Sequence, residues 1–275
     1  MIAPNRIKFQ KIFSNELNIP DLIMECAFES DNSEVSTYLN REAVSVESHD
    51  GRNNNTIRYK YSERFSPRFT FMKKGFGDFD SSELRAVLKW LTSSDTPTLL
   101  DVYYDDSNVV GFSAIGNWIE ISSYKLANSR TVAVVATFEA VHPFAFSDLH
   151  IVTKTITSAD NIITINIDTD DNKPVYPRVT IAEKGSGVRF INKHTDFFGN
   201  SKTYESTILT NNTSGEKITV DGANKVISST HTSRIFGNQF NWRWLELYDG
   251  KNELTIEGNC EVKLEYRTVI KCGEF

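Results

Sequence analysis

The chain is poor in cysteine and methionine and has no long apolar run, and each scarcity excludes a class of protein. Three cysteines in 275 residues, Cys26, Cys260 and Cys272, are too few and too far apart for a disulfide scaffold or a zinc site. They are expected as free thiols in a reducing compartment. No stretch approaches the roughly 18 consecutive apolar residues of a membrane span, so no membrane insertion is expected. Met1–Gln10 turns polar after a few residues, so a secretory segment is not expected there. An excess of basic residues is also lacking: 30 Lys and Arg stand against 36 Asp and Glu, a net charge of −6. The cations are scattered, whereas sequence-specific nucleic-acid binding needs a basic face to neutralise phosphates.

Catalytic motifs are missing as well. There is no His-Glu-x-x-His, no Gly-x-x-x-x-Gly-Lys phosphate loop and no Gly-x-Ser-x-Gly elbow. Gly111-Phe-Ser-Ala-Ile-Gly116 has the wrong spacing for that elbow, and Gly75-Phe-Gly-Asp-Phe-Asp80 lacks the third glycine of a dinucleotide loop. Asp168-Thr-Asp-Asp-Asn172 opens like a calcium loop, but Lys173 replaces its turn glycine and Val179 its final Glu. A solvated loop between strands is expected there. Asp105 and Asp106 are adjacent, which suits a hairpin turn better than two carboxyls facing across a cleft. His194-x-Asp196 is half a triad without a nucleophile. No enzyme, metal or cofactor is expected.

What the chain does have is strand-forming character. It carries 18 Phe, 10 Tyr and 4 Trp, 12% aromatic in all, against 3 Met. Aromatic and β-branched residues favour strands. Period-two runs recur from Ile57/Tyr59/Tyr61, Phe69/Phe71 and Val132/Val134 to Ile163/Ile165/Ile167, Val179/Ile181 and Val262/Leu264/Tyr266. Turn pairs such as Asp50-Gly51, Ser214-Gly215, Asp221-Gly222 and Asp249-Gly250 separate them. One helix is expected over about 81–92. Asp80-Ser-Ser-Glu83 has the form of a capping box, Leu84, Val87, Leu88 and Leu91 make an apolar stripe, and Pro97 follows.

Pro143, after the apolar strand Thr131–Phe138, marks a boundary, because proline ends ladder pairing. The expected division is an α+β domain over 1–147 with one helix and a β-sandwich over 148–275. Met24–Asn55, rich in Glu, Ser, Asn and Asp, is expected as long projecting loops or a protruding hairpin. Aromatic faces beside hydrogen-bonding groups also suggest a carbohydrate-binding or lectin-like surface on the sandwich. The candidates are Trp242, Trp244, Tyr248, His231, Arg234 and Asn238. Phe240, Trp242 and Trp244 alternate as though along one strand face, which is the spacing of sheet core.

A set of features in order resembles the distal tail proteins (Dit) of siphophages. In the first half they are the turn Ser48-His-Asp-Gly51, the strand pair Arg58–Phe71, the helix ending Leu88-Lys-Trp-Leu91, Leu99-Leu-Asp-Val-Tyr-Tyr104, and Val109-Val-Gly111. The strand ending Thr137-Phe-Glu-Ala-Val-His-Pro-Phe-Ala-Phe146 is similar to the Phe-x-Cys-x-x-Pro joint of that family, with Ala140 where cysteine is common. In the second half, Pro174 to Ile181, Gly215-Glu-Lys-Ile-Thr-Val-Asp221 and Trp244–Leu254 match the family's Pro-x-Ile-x-Ile, Gly-x-x-Ile-x-Ile-Asp and Leu-x-x-Gly-x-Asn-x-Ile stretches.

The resemblance covers nearly the whole chain, and the order of its motifs carries it. It implies a mainly β structural protein. Its N-terminal α+β domain would be a split β-barrel-like sheet with one helix, followed by a galectin- or carbohydrate-module-like sandwich. It also implies a homo-hexameric ring at the tip of a long phage tail, part of the baseplate, built in the bacterial host cytoplasm. The ring would join the tail tube protein to the hub or fibre protein, with DNA passing through unbound. The N-terminal domain would form the ring and the sandwich decorate it, with host cell-surface saccharide as a further partner. His231-Thr-Ser-Arg234 and Trp244-Leu-Glu246 do not fit a galectin sugar signature. An acidic lumen would let DNA slide, and Asp31, Glu34 and Glu42 in the long loop are candidates to line it.

Overall fold

Asp80 organises α1 (Ser81–Leu91), the one α-helix among the described residues of this computed structural model. Its carboxylate accepts from the backbone N–H of Ser82 at 2.7 Å and of Glu83 at 2.9 Å, and Glu83 accepts from the Asp80 N–H at 2.8 Å. The box satisfies amides that no helical carbonyl can reach. The structure describes residues 6–28, 41–46, 56–61, 64–104, 110–126, 130–185 and 187–271, with backbone alone for 25–28, 41–46 and 56–61. Val87, Trp90 and Leu91 are buried, with Leu84 partly buried against the same core. Leu88, expected in the stripe, is 37% exposed. Trp90, on the other flank of the Val87–Leu91 stripe, faces inward in its stead, edge-on to Phe9 at 6.4 Å and to Phe71 at 6.1 Å.

The sheet below the helix comprises β1 (Arg6–Phe9), β2 (Ile12–Phe13), β3 (Leu22–Phe28), β6 (Pro67–Lys73), β7 (Thr98–Tyr103), β8 (Phe112–Lys125), β9 (Thr131–Ala140) and β10 (Ala145–Phe146). A short C-terminal strand, β20 (Val269–Ile270), joins them through β10. The order is β2-β1-β7-β8-β9-β6-β3, antiparallel along that path. The path has two ends, so the sheet is not a closed barrel. Its core is aromatic: Trp118 lies edge-on to Phe138 at 5.2 Å, Phe69 at 5.4 Å and Phe9 at 5.9 Å. Edge-to-face rings of this kind add to their area burial. β8 pairs with β7 only through Gly116, then continues beside β9, with register shifts at Trp118/Glu120 and Tyr124/Lys125. At that crossing a Cβ on Gly116 would run into the Glu139 carbonyl.

β4 (Arg41–Val46) pairs antiparallel with β5 (Thr56–Tyr61) as a separate two-stranded ribbon. The expectation for Met24–Asn55 is therefore corrected at both ends: Met24–Phe28 belongs to β3 of the main sheet, and the ribbon's second strand lies beyond Asn55. The strand pair expected over Arg58–Phe71 does not form, because β5 pairs with β4 while β6 pairs with β3 and β9. The Asp105–Asp106 turn lies outside the described residues.

The chain divides into two compact units, Met1–Asp148 with Ile270–Phe275, and Leu149–Val269. Ile270 packs against the core of the first. The second unit is a sandwich. One sheet holds β11 (His150–Ile156), β19 (Cys260–Tyr266), β13 (Arg178–Glu183), β16 (Lys217–Asp221) and β17 (Val226–Ser229), in that order. The other holds β12 (Ile162–Ile167), β18 (Gly250–Glu257), β14 (Gly187–Thr195) and β15 (Ser201–Thr210). Strict alternation makes the core. Val262 and Leu264 of β19 and Ile181 of β13 face inward, against Phe190, Leu254 and Ile256 from the other sheet. Glu261, Lys263 and Glu265 take the opposite face, as half-buried antiparallel strands require.

Candidate carbohydrate and assembly surfaces

Phe240, Trp242 and Trp244 do not lie along a strand. Residues 240–248 run irregularly beside the outer edge of β15, with one isolated β-bridge to it, between Phe240 and Leu209. Asn241 keeps one backbone bond to this edge, its N–H donating to the Ile208 carbonyl at 3.2 Å, and its side chain takes over the return bond. Its Oδ1 accepts from the Ile208 N–H at 3.0 Å and the Arg243 N–H at 3.2 Å, and its Nδ2 donates to the Ser206 carbonyl at 3.2 Å. Thr207 Oγ1 donates to the Arg243 carbonyl at 3.0 Å. Trp242 is left-handed at φ 58°, which turns its side chain away from the direction a strand would impose. The three rings therefore have different fates. Phe240 is 1% exposed in the core, Trp244 is half-buried against it, and Trp242 is 57% exposed.

Arg234 and His231 separate in the same way. The Arg234 guanidinium donates to the carbonyls of Thr210 at 2.7 Å and of Asn211, and to Asn212 Oδ1 at 2.8 Å. Beneath it, Glu216 accepts from Ser229 Oγ at 2.6 Å and from the Thr213 N–H at 2.9 Å. Burial pushes the Glu216 carboxyl up, but the Ser229 and Thr213 hydrogen bonds and the Arg234 charge outweigh it and hold the group below its ordinary value. Arg234 is thus a latch on the 210–216 loop. His231 is exposed, its Nδ1 3.1 Å from Ser233 Oγ, and Asn238 is exposed.

Tyr248 belongs to a stacked row. Its ring lies 4.6 Å from Tyr204 and 5.3 Å from His194, and its hydroxyl donates to Glu246 at 2.5 Å. Tyr176 donates to the other Glu246 oxygen at 3.0 Å, with Lys225 Nζ 3.5 Å above the Tyr176 ring and 5.4 Å from that of Trp244. Neighbouring side chains thus cover faces of these rings. His194 and Asp196 diverge: His194 Nε2 contacts the Asp249 carbonyl at 2.6 Å, and Asp196 binds Asn200 N at 2.8 Å and Nδ2 at 3.0 Å. Those Asn200 hydrogen bonds lower the Asp196 carboxyl, which closes its own turn.

Asn192 and Glu183 are buried polar groups that belong to none of the sequence motifs. Asn192 Nδ2 donates to Asn252 Oδ1 at 2.9 Å and to the Glu246 carbonyl at 2.8 Å, tying the 246–252 segment to β14. Glu183 accepts from Asn212 Nδ2 at 2.8 Å. Both sit at positions flanked by alternating apolar residues, where an inward polar side chain was legible from the period alone. Among the described residues no group of three metal-ligating side chains converges, Asp168–Asn172 included. Asp31 and Glu34 lie outside the described residues. Glu42 sits on β4 opposite Lys60 in register, its side chain outside the description. Cys260 is a buried free thiol, pushed up to about 12 by burial and by the Glu183 charge.

Two family models match in series. One, described as a phage tail protein N-terminal domain, covers residues 12–140, and the other, a phage tail C-terminal domain, covers 144–266. No curated protein sequence matches. Among solved structures, the fold is similar to that of the SPP1 Dit protein, described as a paradigm of the hub adsorption apparatus in phages infecting Gram-positive bacteria. That match has a TM-score of 0.58 at 9% identity, over 97% of this chain and 99% of that one. Chains of the phage P2 baseplate in its activated conformation align at TM-scores of 0.49 (with calcium) and 0.47 (with strontium). The first is 10% identical over 99% of this chain and all of that one, the second 11% identical over 96% and 98%. With matched models running in order over both units and a distal-tail fold beneath them, the chain belongs to the phage tail proteins and is a structural component of the virion.

Proposed function

We propose that this chain is the distal tail protein of a long-tailed phage. In this proposal six copies close a ring at the tail tip, between the tube protein and the hub or fibre protein. The first unit, Met1–Asp148 with Ile270–Phe275, forms the ring, and the sandwich Leu149–Val269 decorates it. The protein carries out no chemistry. Like the whole tail, it assembles in the host cytoplasm.

The observation that carries this proposal is the distal-tail fold spanning nearly the entire chain at a TM-score of 0.58. Strand edges support it. Beyond Gly116, β8 has β9 as its one described neighbour, and at the far end of the same sheet β3 pairs only with β6 among the described strands. Two free edges on opposite sides of one sheet suit head-to-tail contacts between copies, which close into rings. Ile119 and Tyr124 on the β8 extension are exposed, ready to be covered by a neighbour. Six copies at −6 would carry a formal charge of −36, which disfavours DNA adhering to the ring.

Negative-stain imaging with light scattering tests the proposal. Six-fold rings with six times the 31.2 kDa chain mass are expected. A monomer at micromolar concentration that binds neither tube nor hub protein would overturn it.

A further inference from the structure

We infer that Trp242 is a stacking platform for a pyranose ring of a polysaccharide. More than half of its side chain is in solvent, yet the ring is held in place. The indole Nε1 donates to the Gly237 carbonyl at 3.1 Å, and the ring leans on the buried Phe240 at 5.3 Å between centroids. Its own hydrogen bond is already made, so the indole offers a ligand an apolar face and nothing else. The C–H face of a sugar ring fits such a surface, while the sugar hydroxyls need polar groups around it. Asn238 and Arg243, both exposed and within four residues along the chain, carry donors and an acceptor.

The backbone is consistent with a prepared site. A bulky residue at φ 58° is strained, and such strain persists only where surrounding contacts impose it. Here the Asn241 bonds to Ile208 and Ser206 and the Thr207 bond to Arg243 impose it on both sides of the ring. The neighbouring aromatic rings are less suited. Trp244 packs on the core, and Tyr176, Tyr204 and Tyr248 are partly covered by protein partners.

Isothermal titration of the full chain with soluble galactan, glucan, rhamnan and chitin oligosaccharides tests this inference. One of them is expected to bind. Trp242→Gly, which accepts the left-handed φ and so keeps the loop, weakens that binding about tenfold or more, and Trp242→Phe retains most of it. Urea unfolding of Trp242→Gly confirms that the sandwich is intact. Binding of none of the four probes, or undiminished binding by Trp242→Gly, overturns the platform. So does a loss of oligomerisation in that variant, because the ring would then be a protein contact. The ring proposal stands or falls separately, on oligomer mass and images.

Discussion

Arg234 and Glu216 lie against each other inside the second unit, the guanidinium Nε 3.6 Å from a carboxylate oxygen, with side chains 7% and 0% exposed. Neither relies on that ion pair alone. Glu216 also holds Ser229 and Thr213, and Arg234 spans the carbonyls of 210 and 211, so the pair connects β15, β16 and β17 through one buried network.

Breaking the pair from one side leaves a buried charge without its partner. Arg234→Ala is therefore expected to destabilise the second unit by about 3–5 kcal/mol, read as a lower urea midpoint. Trp242→Ala, which removes an exposed ring, is expected to move that midpoint far less. Equal effects of the two would refute the assignment of Arg234 as a latch.

Acid should unfold the protein through specific carboxyls. Glu216, Asp80, Asp196 and Asp221 are all lowered in the folded state. For Asp80 the Ser82 hydrogen bond is the largest cause. For Asp221 burial opposes the shift, and hydrogen bonds from Asn224 outweigh it. A carboxyl lowered by folding contributes stability above its unfolded pKa, and that contribution is lost as pH falls through the folded value. Stability is expected to be level from neutral pH to about 5 and to decline below about 4, where unfolded carboxyls titrate. Urea midpoints across pH measure it, and Glu216→Gln should flatten the decline.

Removing the helix cap should be felt in the first unit. Asp80→Ala leaves the Ser82 and Glu83 amides without their acceptor and is expected to cost about 1 kcal/mol, with Asp80→Asn costing less. Chemical denaturation of the two variants side by side checks the order.

Cys260 should be inert while the protein is folded. In a Cys26→Ser, Cys272→Ser background, a thiol reagent such as DTNB at pH 8 is expected to find no reactive group in the native state and one after denaturation. The buried thiol keeps its proton at that pH and is out of contact with the reagent. Rapid native labelling would refute the buried placement.

Local pattern was enough for several elements. The Asp80–Glu83 box and the leucine spacing specify α1, and inward and outward residues of β12, β13 and β19 can be read from their alternation, because capping and the two-residue period depend only on neighbours in sequence. The ordered motifs also carried the phage-tail family. Three features needed tertiary structure. Leu88 lies on the outer flank of α1 and Trp90 on the inner one, because the Phe9 and Phe71 rings that Trp90 meets edge-on come from strands far away in the chain. Phe240, Trp242 and Trp244 do not share a strand face because the backbone turns left-handed at Trp242 while Asn241 stays bound to the β15 edge through its backbone N–H and side chain. Arg234 became a latch because Glu216, which lies on the loop entering another strand, arrives beneath it only on folding. Spacing determines which way a residue points within its own element, whereas which of the inward side chains meet, and which ring is left facing water, depends on contacts between segments far apart in the chain.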